Sequence, residues 1–438
     1  MSFTVVLIYT MFIVLFIGAL WKPIFGVLGY LSVYILYNPD IWWGATFEHY
    51  LPRPSLTAVL FLIAGAFIHK GKLNWTFSRR EIELYLFLGT VWFVSLFFGI
   101  GIEDNNWIYL MKMTKLFVFI FFFIRVVNSS NHYKLVIWMF ILGAALLAYH
   151  AHGLSSGYFA DGRLEEIGGI DFSESNGFAC FQALAMTFLG VQFLRDSMWK
   201  KVMYVIGIAF MLDTIILTQS RAVFLGIVMA VPYVLFRASP KYRKQVYVSV
   251  ILGGILFFML ADVKFFGRMD TIQQQFENQI VNTQEEEVGR IDFWKASILM
   301  FMDHPLGVGV KNFEKMVPYY DPNNIGRDAH NTYVLCYSEI GILGIVLFLI
   351  IIGETFLQIR RIRLAVKDTP HEEDIRLHTF AITTVLIIYL LGYMTTHSIL
   401  YTEILWILLA MPICLENATK KLLESENQTT LNSEEATS

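Results

Sequence analysis

Apolar residues fall along this chain in long blocks. About thirteen windows with almost no charge stand out, at residues 4–20, 24–37, 55–69, 82–102, 107–127, 133–150, 177–194, 200–217, 219–236, 245–261, 331–358, 377–397 and 399–415. Blocks of this length suit a helix crossing a hydrocarbon layer roughly 30 Å thick. Helices are the default there, because lipid offers no water to unpaired backbone groups and no barrel-like alternation occurs. The 24–37 window is short, and reads either as re-entrant or as merged with its neighbour. The expectation is an all-α polytopic membrane protein with about 12–13 transmembrane helices.

The connections alternate in basic content. Lys70, Lys72, Arg79 and Arg80 crowd one, Arg125 and Lys134 the next on that side, then Arg195, Lys200 and Lys201. Arg237, Lys241, Arg243 and Lys244 follow, and then Arg360, Arg361, Arg363 and Lys367. Short basic loops stay cytoplasmic, which turns 103–107, 151–176, the turn at Gln219 and 262–330 outward. The last of these has 69 residues, too many for a plain connector. Ile291, Trp294, Ile298, Leu299 and Met302 recur inside it at spacings of three and four, which predicts a helix lying along the membrane surface. Pro305 and Gly307 stop that helix. The chain divides accordingly into an N-terminal bundle with outer loop (1–176), central helices (177–261), a periplasmic loop domain (262–330), C-terminal helices (331–415) and a disordered cytoplasmic tail (416–438).

Composition sharpens the class. Of 438 residues 56% are apolar and only 16% charged, against about 25% charged in soluble domains. This excludes a soluble multidomain enzyme, a disordered chain and a coiled coil. A net charge of −3 without a long basic run gives no field for nucleic acid. Cys180, Cys336 and Cys414 are too few and too scattered for a disulfide framework or a zinc cluster. The first twenty residues lack a basic n-region and a small-residue cleavage site, and read as a retained span.

Candidate chemistry lies on the outer side. Arg221 follows Thr218-Gln219-Ser220 at the mouth of an apolar span; it either snorkels to headgroups or faces an anion in a cavity. Arg290 follows the acidic run Glu285–Glu287; it is either half of a surface salt bridge or a fork for two phosphate oxygens. His330 stands where the long loop re-enters the membrane, as a boundary residue or a proton acceptor whose tautomer Asn331 or Asp328 fixes. Asp213 reads as a carboxylate buried in a span, functional or paired near a helix end. The polar loop from Asp161-Gly162-Arg163 to Asn176 either binds sugar or merely links spans. His397, His150 and His152 read as structural. DxD, Walker and HExxH strings are absent, and nothing demands a metal or cofactor. The GxSxG at Gly153–Gly157 sits in a loop after a span, the wrong context for a hydrolase elbow.

Five strings in order resemble the O-antigen ligase family of membrane glycosyltransferases, which shares a domain with O-antigen polymerases. They are Thr218-Gln219-Ser220-Arg221-Ala222, Arg290 with Trp294, His304-Pro305-Leu306-Gly307-Val308-Gly309, Ala329-His330-Asn331-Thr332-Tyr333 and Glu339-Ile340-Gly341-Ile342-Leu343-Gly344. The N-terminal part and the 161–179 region are similar to the exosortase-associated O-glycosylation ligase branch. The resemblance implies a GT-C-like enzyme of the bacterial inner membrane with its site facing the periplasm. It would move a glycan from undecaprenyl diphosphate to an acceptor hydroxyl on lipid A–core, another glycolipid or a protein, with inversion and without metal. It would make Arg221 and Arg290 the diphosphate contacts and His330 the residue that activates the acceptor. Two other functions fit a many-span chain: a polymerase joining repeat units on the carrier, and a polysaccharide or lipid transporter. The lack of visible internal symmetry disfavours the transporter.

Overall fold

Each apolar window becomes a helix in the computed structural model, which describes residues 3–39, 41, 43–45, 51, 53–153, 159–160, 162–261, 265–267, 290–322 and 328–437. Three short helices open the chain: α1 (Phe3–Ala19), α2 (Ile24–Leu36) and α3 (Pro54–Ile68). The next three are α4 (Arg79–Phe97), α5 (Asp104–Val126) and α6 (Ser130–His152). A two-stranded hairpin, Phe159–Ala160 with Arg163–Leu164, precedes α7 (Ser175–Arg195), α8 (Met198–Leu217), α9 (Arg221–Arg237) and α10 (Arg243–Leu260). The long loop contributes α11 (Arg290–Asp303) and α12 (Phe313–Tyr320). Then come α13 (Thr332–Ala365), α14 (Glu372–Ile387), a widened π turn over Ile388–Tyr393, and α15 (Glu403–Thr437).

Six of these, counting α14 with its π turn as one, are long and apolar enough to cross a membrane unaided, fewer than the 12–13 expected. The difference has physical causes. The helices α1, α2 and α3 are only 13–17 residues long, and α4 carries Arg79, Arg80, Glu81 and Glu83 in its first turns. The doubtful 24–37 window is a discrete helix, α2, buried along nearly its whole length. The tail expected to be disordered instead continues α15 to Thr437. Leu415, Ala418 and Thr419 are buried, Gln358 Nε2 donates to Glu416 at 2.5 Å, and Glu416 pairs with Lys420 one turn on. A stripe of small and apolar residues thus holds that turn against the bundle.

One apolar core collects buried side chains from Val5 to Leu415, so the segments drawn from sequence share an interior. By contrast, α10 buries only Val246 and lies on the rim. Polar contacts sort by end. At the basic end Arg125 pairs with Glu81 at 2.5 Å, Lys134 and Arg195 both reach Asp374 at 2.9 and 2.6 Å, and Lys241 reaches Glu373 at 2.6 Å. The other end carries the outer loops.

A helix is present in the long loop as α11. It buries Ala296, Ser297 and Met300 and leaves Ile298, Leu299 and Met302 exposed, an apolar edge suited to a lipid surface. Beyond its stop, residues 305–309 dock onto α13 by backbone hydrogen bonds. The Val308 and Gly309 amides donate to the Ser338 and Glu339 carbonyls at 3.0 and 2.9 Å, and the Ile342 amide donates to the Pro305 carbonyl at 2.9 Å. Helical geometry breaks at Gly341 (φ 70°, ψ −165°), which frees those carbonyls. An irregular turn inside an apolar helix survives only if its polar groups are taken up again, and here the 305–309 strap takes them.

Candidate functional site

The turn before α9 is held from outside. Ser220 caps the helix, accepting the Val223 amide at 3.4 Å, and its hydroxyl donates to Asn176 Oδ1 at 2.8 Å. Arg163 reaches the same place: Nε donates to the Thr218 carbonyl at 3.2 Å and a terminal nitrogen to Asn176 Oδ1 at 3.1 Å. Gln219 Nε2 donates to the Gly162 carbonyl at 3.0 Å. The outer loop therefore lies over the turn. Asp171 fastens that loop to the bundle, accepting from Tyr34 Oη (3.0 Å), Lys112 Nζ (3.1 Å) and the Glu403 amide (2.9 Å). Arg221 is the first residue of α9, where the positive end of the helix dipole adds to its guanidinium.

Next, α9 lies backbone to backbone on the π turn. A Cβ on Gly392 would stand 2.5 Å from Gly226 Cα and 2.7 Å from the Ala222 carbonyl oxygen. The His330 segment grips the residues that follow this turn. The Thr332 amide donates to the Met394 carbonyl at 2.8 Å, Asn331 Nδ2 to the Thr395 carbonyl at 3.3 Å, and Thr332 Oγ1 to the His397 carbonyl at 2.6 Å. Asn331 also caps α13 by accepting the Tyr333 and Val334 amides. His330 itself has φ 48° and is exposed, with its ring centroid 6.4 Å from that of His397. The Tyr393 ring is 4.9 Å from His397, and its hydroxyl borders Gly177. The helix that Arg221 opens and the segment that carries His330 thus meet on one stretch, 388–397, while Arg163 reaches only the turn before Arg221.

Residues 206–349 match the family model of O-antigen ligase. This stretch belongs to the O-antigen ligase family. No curated protein matches the chain.

The O-antigen ligase stretch holds Arg221, Arg290, the 305–309 strap, His330 and the Gly341 break, whereas the 162–176 loop and the 388–397 segment lie outside it. Of Arg290 only the backbone, opening α11, is described; its side chain, the acidic run at 285–287, Asp161 and residues 154–157 of the GxSxG string lie outside the described residues. Asp213 fits the helix-end reading rather than the enclosed one: its side chain is 22% exposed and its Oδ2 lies 3.0 Å from His152 Nδ1. It sits one turn from the outer end of α8, close enough for the end of α6 to pair with it. Among the described residues no group of three or more His, Cys, Asp or Glu is placed to hold a metal ion.

Two features near His330 were not read from sequence. His397 looked like any histidine ending a span; the polar run Thr395-Thr396-His397 after fifteen mostly apolar residues was its only signal. Lys311 adopts φ 55° and pairs with Glu314 at 2.6 Å, its Nζ 5.0 Å above the Tyr109 ring. Burial is the largest single influence and works against its charge, yet the bond to Glu314 and the charges of Glu314, Tyr109 and Glu339 together outweigh it and hold the ammonium above its usual pKa. The Glu339 carboxylate accepts from the Phe313 amide at 3.2 Å and from the Tyr401 hydroxyl, which fixes the chain just beyond Lys311.

Asp328, two residues before His330, accepts the Ala329 amide at 2.8 Å. Burial pushes its carboxyl pKa up, against the opposing pull of Lys311. Ionising the folded protein at this position therefore carries a penalty that is absent in acid and complete above the raised pKa. Asp328→Asn is expected to melt above wild type at alkaline pH, with the gap closing on acidification toward about pH 4. A gap that does not change with pH in paired thermal melts would contradict this.

Proposed function

We propose that this chain transfers a glycan from undecaprenyl diphosphate to an acceptor hydroxyl at the periplasmic face of the inner membrane. The acceptor is lipid A–core, another glycolipid or a protein, and the anomeric centre inverts. The observation that carries the reading is the meeting of the Arg221 turn and the His330 segment on 388–397, in a chain whose central stretch belongs to the O-antigen ligase family. A ligase- or polymerase-type activity follows from the family; the donor, acceptor and stereochemistry are the proposal.

The chemistry divides among the residues as follows. The acceptor oxygen attacks the anomeric carbon, the bond from that carbon to the diphosphate oxygen breaks, and undecaprenyl diphosphate leaves. His330 takes the acceptor proton. Arg221 and Arg290 neutralise charge building on the leaving diphosphate, and their permanent charge does the work that a divalent ion does in other transferases. Arg163 and Asn176 position the turn that bears Arg221. The apolar flanks of the bundle give the carrier's tail a lipid-like wall.

Purified protein incubated with lipid-diphosphate glycan, with and without acceptor, tests this. Acceptor-linked product is expected, at a rate unchanged by EDTA. Carrier-linked chains lengthening without acceptor would instead make the chain a polymerase. Arg221→Ala and Arg290→Ala should each slow transfer by about 10²–10³-fold, the usual cost of one preorganised donor to a developing anion. Arg290→Lys should recover little of this, since an ammonium cannot reproduce the planar fork.

A further inference from the structure

At the basic end, remote from this site, a cavity of about 400 Å³ opens between α7, α9, α10, α13 and α14. That volume equals a sphere roughly 9 Å across. Five cations line it, Arg237, Arg243, Arg363, Lys367 and Arg376, against one carboxylate, Glu372. The carboxylate is committed to Arg376 at 2.8 Å. Arg363 is held by neutral partners, Thr379 Oγ1 and Tyr233 Oη, both at 2.8 Å. Among the described residues the one ion pair of Lys367 is with Asp368 at 4.0 Å, with both side chains largely exposed, and Arg237 and Arg243 make none. Cations gathered within about one Debye length repel one another unless an anion joins them.

The walls indicate what kind of anion. Leu377, Phe380 and Val246 supply an apolar floor, while Phe236 and Leu364 at the rim are 81% and 61% exposed. A charged hollow with greasy, outward-facing edges suits a ligand that has a phosphate at one end and acyl chains at the other. We propose that this cavity binds the phosphodiester headgroup of an anionic phospholipid from the leaflet at the basic end. Arg363 provides the fixed fork, and Arg237, Arg243 and Lys367 close around the phosphate. The inference rests on this cavity alone and stands apart from the glycan-transfer reading.

Native mass spectrometry of the full chain in neutral detergent tests it, with phosphatidylglycerol or phosphatidylcholine added. Wild type is expected to retain phosphatidylglycerol selectively. R237Q/R243Q should weaken that retention roughly thirtyfold, from about fivefold for each surface cation lost. Both arginines are exposed, and thermal melts on the same samples verify folding. K367Q, on a separate element, should lose about fivefold. Stabilisation by inorganic phosphate that disappears in R237Q/R243Q, with the two lipids retained equally, would keep the phosphate site and overturn its lipid source. Equal lipid retention without a phosphate effect, or undiminished phosphatidylglycerol retention in the folded variants, would overturn the proposal.

Discussion

His330→Asn is expected to slow glycan transfer by about 10²–10⁴-fold, the usual worth of a positioned proton acceptor, without lowering the melting temperature. Asparagine is the informative replacement because of the backbone. His330 sits at φ 48°, a left-handed conformation that asparagine tolerates and most other residues resist. His330→Ala removes the same imidazole but puts there a residue that populates the left-handed region less readily than histidine or asparagine, at some fraction of the roughly 1–2 kcal/mol that conformation costs. It should therefore lose transfer equally while melting lower. Initial rates with a fixed donor, set beside melting curves for both variants, separate chemistry from packing. Transfer by His330→Asn within a few-fold of wild type would remove the imidazole from the mechanism, because that variant has no ring left to take the proton. His397 is the group to examine next in that case, given its ring 6.4 Å away.

The second large effect belongs to Gly341→Ala, and here the loss is structural. A Cβ at Gly341 would lie 2.2 Å from the Leu306 carbonyl carbon and 2.5 Å from its oxygen. Its φ and ψ also fall in a region that only glycine occupies readily. Strain and overlap together cost on the order of 2–6 kcal/mol. The strap must move away, and with it go the hydrogen bonds to the Ser338 and Glu339 carbonyls and the placement of Lys311. Loss of most folded protein on size exclusion is expected, with no transfer by the remainder. Gly353→Ala is the matched control on the same helix, since nothing lies within 4 Å of a Cβ there. It should melt at or slightly above wild type, because alanine restricts the unfolded chain more than glycine does.

The helices were legible because block length and apolarity are one-dimensional properties: every window from 4–20 to 399–415 meets a helix. The stop at Pro305 was equally local, and α11 ends at Asp303. What escaped was pairing at a distance. The strings at 304–309 and 339–344 both stand out in the sequence, but nothing in it shows that the backbone of one completes the backbone of the other. Arg163 and Ser220 share Asn176 across 13 and 44 residues, a relation that no spacing rule encodes. The end of α15 is hidden from the sequence for a different reason. Its composition is polar overall, and a stripe of buried Leu415, Ala418 and Thr419 is too thin to register in a hydropathy window. Asp213 looked enclosed because its span is apolar, although it lies close enough to the span's end to meet His152.

The contact between Gly226 and Gly392 has a practical corollary. Two stretches of main chain touch there with no side chains between them to cushion a displacement, so the ledge bearing Arg221 is indexed to residues that the family stretch does not contain. A hybrid protein that exchanges only 206–349 with a homologue would import the charged groups and leave behind the anvil on which they are set. Junctions for such hybrids belong beyond Ile399, so that Gly392, Met394 and His397 travel with the arginine and histidine they support.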